Sequence, residues 1–305
     1  MSRGTPTIID TDPGIDDVVA LALASLAPEL DLLAVTTTYG NATLTTTTRN
    51  ARTLLALTGR QDIQVCPGAD RPLVRELVTA PETHGSSGVG YAAVPPAEPV
   101  DADPTALTKL LDEQLGPVTL VTLGPLTNLA HALEADTPLI RQRVSRHIGM
   151  FGSLQERGST ARRADFNAWC DPEAVDRVLR ADLRTVMVGL DVTRRVVVST
   201  GEIDRLTVNR DPLVSWLGHA LRFSAEFHRR ERGLDGCVVN DVLPIGEIIF
   251  PGLLRLAEAS LVTDLGDGED RGWIREAPGG CHKQVALGVD IDKMKGMLQR
   301  VMKEA

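Results

Sequence analysis

Asp10, Asp12, Asp16 and Asp17 all fall within one short string, Asp10-Thr11-Asp12-Pro13-Gly14-Ile15-Asp16-Asp17. Carboxylates this close repel one another or raise one another's pKa. A hard divalent cation held by their oxygens removes the conflict. An apolar run from Thr7 to Ile9 precedes the string, and another from Val18 to Ala27 follows it. The charge is therefore expected at the tip of a strand, where a helix begins. One or two acids in a first helical turn are an ordinary preference. That preference accounts for Asp16 or Asp17 alone, but not for Asp10 and Asp12 as well. The cluster is read as a metal or catalytic site.

The elements that must position it alternate along the chain. The pattern predicts strands over Thr7–Asp12, Asp31–Thr38, Ile63–Cys66, Val118–Leu123, Arg146–Phe151 and Thr185–Leu190. Between and after them it predicts helices over Ile15–Ala27, Leu44–Thr58, Thr105–Leu115, Leu126–Glu134, Pro172–Arg180, Leu213–Arg229, Asp241–Ile249 and Ile291–Lys303. Pro67 to Pro104 reads as a long irregular segment, and such loops in compact domains are often functional. Near-continuous apolar strands alternating with helices imply an α/β fold. Its mainly parallel central sheet would carry helices on both faces, as an open, Rossmann-like α/β arrangement. One domain over residues 1–305 is expected, with the late helices lying over the strand tips. Ligands of such sheets bind beyond the carboxyl ends of the strands. Asp12, Asn41, the Leu123-Gly124 turn, Asp191 and Thr193 fall there.

The bulk composition narrows the partners. Net charge is −9 and aromatic residues make up 3% of the chain. Nucleic-acid binders carry a basic footprint, so no nucleic-acid partner is expected. Val18 to Ala27 is too short to span a bilayer, so no membrane partner is expected. Met1 to Pro6 has no long apolar stretch after a basic start, and no secretory signal is read there. Cys66, Cys170, Cys237 and Cys281 lie far apart without a Cys-x-x-Cys pattern. Reduced thiols in a cytoplasmic protein are the expectation, and zinc is not. Arg194 and Arg195 read as surface charges, although a phosphate-bearing substrate would use such residues.

The opening string resembles the N-terminal signature of the inosine-uridine-preferring nucleoside hydrolases, commonly Asp-x-Asp-Pro-Gly-x-Asp-Asp. Further segments follow in family order. They include Thr38-Tyr39-Gly40-Asn41 with Thr48-Arg49-Asn50-Ala51, then His84-Gly85 with Ser87-Gly88, then Leu123-Gly124-Pro125-Leu126-Thr127-Asn128. Asp165-Phe166-Asn167, Asp171-Pro172-Glu173-Ala174, Asp191-Val192-Thr193, Gly233-Leu234-Asp235-Gly236-Cys237 and Val289-Asp290-Ile291-Asp292 complete the series. Each match is short, but together they extend along nearly the whole chain.

The resemblance implies the nucleoside hydrolase fold and a Ca²⁺-dependent ribonucleoside N-ribohydrolase, working as a homodimer or homotetramer on a small-molecule ribonucleoside. Its metal ligands would be Asp12, Asp17, the carbonyl oxygen of Leu123, and Asp241. Asp12 would also be the general base, supported by Asp10. Asp16 and Asn167 would bind ribose hydroxyls, with Asn41 and Asp165 nearby. Three positions depart from the family pattern. Asn240 precedes Asp241, where many members have a His proposed to protonate the leaving base. Ser159 stands where a ribose-contacting Asn is usual, and Asp165 where Glu is usual. Asn donates a hydrogen bond but cannot deliver a proton at neutral pH. His84, His228 and Glu231 are the candidate replacement acids, with His228 also a candidate substrate contact. A pyrimidine or modified nucleoside is therefore favoured as substrate.

Two other classes compete. A non-catalytic, calcium-dependent nucleoside binder would also fit the changes at Asn240, Ser159 and Asp165. A phosphohydrolase with Asp10 as nucleophile needs a downstream Lys that the run from Val118 to Thr127 lacks.

Overall fold

The computed structural model describes residues 4–156, 158 and 163–302. The chain opens with β1 (Thr5–Thr11), α1 (Ile15–Leu26), β2 (Leu30–Thr37), α2 (Leu44–Leu57) and β3 (Gln64–Pro67). A long connection holding the short α3 (Pro81–His84) leads to α4 (Ala106–Asp112). The alternation resumes with β4 (Val118–Thr122), α5 (Thr127–Arg143), β5 (Val144–Gly149), α6 (Phe166–Cys170), α7 (Pro172–Arg180) and β6 (Thr185–Met187). Next come α8 (Leu190–Thr193), β7 (Val197–Val198), α9 (Thr200–Thr207), α10 (Pro212–Arg232), β8 (Cys237–Val238) and α11 (Val242–Ile249). The last elements are β9 (Leu254–Thr263), β10 (Ile274–Glu276), β11 (Cys281–Val289) and α12 (Ile291–Met302).

Nine strands form one sheet in the order β10-β9-β11-β6-β5-β4-β1-β2-β3. From β3 to β11 every neighbouring pair is parallel, and β9 and β10 add an antiparallel edge. This is the expected mainly parallel α/β sheet. The strand order reverses between β1 and β4, whose register aligns Asp10 with Thr122. A reversal of this kind opens a crevice at the carboxyl ends of the two strands.

Successive strand residues point to opposite faces, and the core divides accordingly. Ile9, Val35, Val121 and Val186 join one apolar cluster with α1, α10, α11 and α12. Ile8, Ala34, Leu120 and Met187 join a second cluster with residues of α4, α5 and α7. Helices thus cover both faces. α1 is apolar nearly all round and buried along most of its length, as a helix must be when it is packed on every side.

The differences from the predicted elements have local causes. The helix expected over Leu126–Glu134 runs on to Arg143 as two segments joined at Asp136 (φ −156°, ψ 79°). Pro138 has no N–H to continue the first segment. The Asp136 carboxylate instead accepts the Leu139 N–H at 2.9 Å and starts the second. The strand expected to reach Leu190 stops at Met187, because Leu190–Thr193 forms α8. α3, α6 and α8 span four or five residues each, too few to display a helical period.

Candidate active site

β1 carries Asp10 and Asp12 to the crevice. Asp10 is fully buried, and its Oδ1 accepts from Thr36 Oγ1 at 2.5 Å and Asn128 Nδ2 at 2.7 Å. Burial pushes its carboxyl up to about 7, against those two hydrogen bonds.

Asp12 follows the end of β1. The Asn41 N–H donates to its Oδ2 at 2.7 Å, while its Oδ1 is buried with no hydrogen-bond partner among the described residues. Glycines press against both oxygens. A Cβ on Gly124 would come within 2.5 Å of Oδ1. Gly40, at φ +149°, adopts a backbone that side chains disfavour, and its Cβ would overlap Oδ2. The Gly14 turn needs glycine for space and not for an unusual backbone. Its φ is −98°, and a Cβ there would sit 2.5 Å from Asn41 Nδ2 and His84 Nδ1.

Asp17, in the first turn of α1, is held on three sides. Thr11 Oγ1 donates to it at 2.6 Å, Asn41 Nδ2 at 2.8 Å and the Gly14 N–H at 3.0 Å. Asp241 arrives from the far end of the chain, immediately before α11. Carboxylate oxygens of Asp16, Asp17 and Asp241 lie within 4.8 Å of one another. The sequence placed Asp12, not Asp16, in the ligand set. The structure gathers Asp16 with the other two and seats Asp12 beside Asp17. The Leu123 carbonyl, also expected as a ligand, accepts from Asn167 Nδ2 at 2.6 Å.

The electrostatics of this group are one-sided. Burial first, and then Asp17, holds the Asp12 carboxyl well above the usual range. Burial and then Asp16 raise Asp17 and hold Asp241 well above the usual range. Oxygen donors without nitrogen or sulfur, a buried carboxylate oxygen without a partner, and mutual repulsion all suit a hard divalent cation. The residues present therefore fit such an ion.

Above the carboxylates opens a cleft of ≈ 870 Å³, counting its mouth and the open solvent there. Asp16, Asn41, Leu123, Asn167 and Asp241 line its lower part. α10 supplies one wall through Ser224, Phe227, His228 and Arg232, so a late helix does lie over the strand tips. Asn240 is engaged at both ends of its amide. Its Oδ1 accepts from Thr193 Oγ1 at 2.9 Å, and its Nδ2 donates to Asp16 Oδ2 at 2.9 Å.

The other expected residues are placed as follows. His84 lines the cleft, and its Nδ1 accepts the Ile15 N–H at 3.0 Å, which puts the ring proton on Nε2. His228 is buried beside the Val238 N–H, and burial and then Arg232 pull its pKa down to about 4. It is neutral at neutral pH. Glu231 pairs with Arg230 on the surface and is not part of the cleft lining. Asp165 caps α6. Its Oδ1 accepts from the Gly152 and Ala168 N–H groups and its Oδ2 from that of Asn167. It borders the cleft but is turned to backbone donors. Burial pushes it up to about 6. Ser159 lies outside the described residues.

Sequence reasoning passed over Ser224 and Arg232. They flank His228 at four-residue spacing on one helix face, a signal that could have found them. Arg194, read as a surface charge, lines the cleft and pairs with Glu156 at 2.9 Å.

The inosine-uridine preferring nucleoside hydrolase family matches residues 7–296. A pyrimidine-specific ribonucleoside hydrolase, RihA, of Photobacterium profundum is 40% identical over 257 residues, covering 83% of this chain and 82% of that protein. Among solved structures, a plant nucleoside hydrolase superposes with a TM-score of 0.90 at 31% identity, covering 99% of both chains. An inosine-guanosine nucleoside hydrolase gives 0.86 at 26% identity, again covering 99% of both.

Proposed function

This chain belongs to the inosine-uridine preferring nucleoside hydrolase family, and from that premise we propose that it cleaves pyrimidine ribonucleosides with Asp12 as general base at a Ca²⁺ site. The coarser activity follows from membership: it is an N-glycosyl hydrolase acting on ribonucleosides. The finer reading is carried by one observation, the buried carboxylates gathered under a cleft at the switch point of the sheet.

Cleaving the glycosidic bond builds positive charge on the ribose. Asp16, at the cleft surface, lies where it can hold a ribose hydroxyl, and the buried carboxylates beside it can stabilise that charge. Asn167 and Asn41 have their amide nitrogens engaged, so they meet hydroxyls through their Oδ1 atoms. Asp12 Oδ1, buried and without a partner, is the acceptor for a proton from the attacking water. Asp12, Asp17, Asp241 and the Leu123 carbonyl would hold Ca²⁺, with Asp16 in the same carboxylate group. A bound cation would neutralise these charges and acidify a water.

The pyrimidine preference is supported by the Photobacterium relative, which is more similar than the inosine-guanosine hydrolase, and by Asn240, which has no proton to give. A homodimer or homotetramer is proposed from the family resemblance. Equilibrium sedimentation tests it, and a monomer at micromolar concentration would count against it.

The decisive assay measures ribose release from uridine, cytidine and inosine, with and without chelator. Uridine or cytidine should exceed inosine, chelation should abolish release, and Ca²⁺ should restore it. Asp12→Asn should lower kcat by about 10²- to 10⁴-fold, the usual contribution of a general base. Turnover that survives in this variant removes Asp12 from that role. Nucleoside binding without base release from any nucleoside would favour a calcium-dependent binder instead.

A further inference from the structure

Cleavage leaves the bonding electron pair on the base, and the residues best placed to protonate it are otherwise engaged. Asn240 does not titrate, and both ends of its amide are held by Thr193 and Asp16. His84 Nδ1 accepts the Ile15 N–H, a bond that a proton on that atom would break. His228 is buried with Nδ1 toward the Val238 N–H at 3.4 Å. The Asp165 oxygens are occupied by backbone donors.

Cations line the same cleft. Arg194 and Arg232 both contribute to its wall. Both therefore border the same space, Arg232 from the last turn of α10 and Arg194 from the end of α8. Arg194 is steadied by Glu156 at 2.9 Å. A guanidinium keeps its charge at any ordinary pH and offers a planar fork of N–H donors, suited to a carbonyl edge or a ring anion. Glu156, paired with Arg194, offsets part of the repulsion between two such groups, and an anion held by both would relieve the rest.

Building on the hydrolase reading, we propose that Arg232, with Arg194, receives the departing base as an anion. The preferred substrates are then ribonucleosides whose free base is acidic at the glycosidic nitrogen, imide-bearing pyrimidines above all. The C1′–N bond breaks with its electron pair on the base. The water oxygen bonds C1′ and loses a proton to a carboxylate of the site. The base anion leaves against the guanidinium groups and takes its proton from solvent. No acid residue, oxidant or co-reactant is required.

A series of leaving groups that differ only at the 5-position tests this: 5-fluorouridine, uridine and 5-methyluridine. The single-turnover rate should rise steeply with the acidity of the base, because no proton compensates the charge that develops. Arg232→Gln should lower kcat on uridine by about 10²-fold, the usual loss on removing one donor to a developing anion. Arg232→Lys should recover part of it. Loss on 4-nitrophenyl riboside, whose leaving group is a stable anion, should be less than about tenfold. Arg232 is an exposed residue at the end of α10, and unchanged unfolding midpoints would show that both variants fold. Rates that are flat across the series overturn the proposal, as does an unchanged kcat in Arg232→Gln. Glu82 lines the mouth of the cleft. A loss in Glu82→Gln as large as in Arg232→Gln would identify an acid and overturn it too. Absence of ribose release from every ribonucleoside would overturn the hydrolase reading itself, and this proposal with it.

Discussion

Asn240 joins two side chains that the sequence keeps far apart. Its amide links Thr193 to Asp16, so a threonine outside the carboxylate group orients an aspartate inside it. Thr193→Val keeps the shape and removes the hydroxyl. An ordinary hydrogen bond contributes about 1 kcal/mol, or roughly fivefold in an equilibrium. We expect KM for the preferred nucleoside to rise about fivefold with kcat nearly constant, since Asp16 would hold the sugar equally before and during bond breaking. A fall in kcat at constant KM would contradict this role. The aspartates of the first string were legible from their spacing. Thr193 was visible as a strand-tip residue, but its link to Asn240 spans 47 positions and has no local signature.

At the level of elements, α10 matters most for the cleft, and its end is set by one residue. Gly233 closes the helix in the left-handed region at φ 64°, immediately after Arg232. A Cβ there would touch nothing within 4 Å. Gly233→Ala therefore tests conformation without a clash. It should cost about 1 kcal/mol, read as a lower denaturant midpoint at unchanged slope. A neutral result would mean that the turn relaxes freely. The sequence placed this helix at Leu213–Arg229, close to its bounds, because its apolar period is long and Pro212 and Gly233 bracket it. The short α6 and α8 were not legible. α6 is held by the Asp165 cap and both by tertiary packing, not by periodicity.

Across the whole molecule, acid stability should depend on a histidine remote from the cleft. His147 on β5 is fully buried between Thr122 and Thr185, and burial pulls its pKa down to about 3. The unfolded chain binds that proton near pH 6.5. The folded chain binds it only near pH 3. The contribution to stability is therefore complete above about pH 6.5 and is lost as pH falls toward about 3. Each pH unit in that window carries about 1.4 kcal/mol per proton. His147→Gln should flatten the acid limb of the stability curve by about that slope. Parallel curves for the two proteins would show that His147 does not control it. If residues 1–305 form one domain, as the sequence suggested, heating should give a single cooperative transition.

The amino-acid sequence was sufficient for the class of fold, and it singled out strand-tip residues that the structure gathers at one cleft. Apolar periods and strand-tip polar residues are local properties, and they survive being read one segment at a time. Partnership between distant segments is not local. The meeting of Asp241 with Asp16 and Asp17, the burial of Asp12 Oδ1, the hold on Asn240 and the placing of Arg232 and Arg194 on one cleft all arise when β1, β4, α8, α10 and α11 converge on one crevice. Charge and hydrogen bonding act across space over a few ångströms, and packing sets those distances.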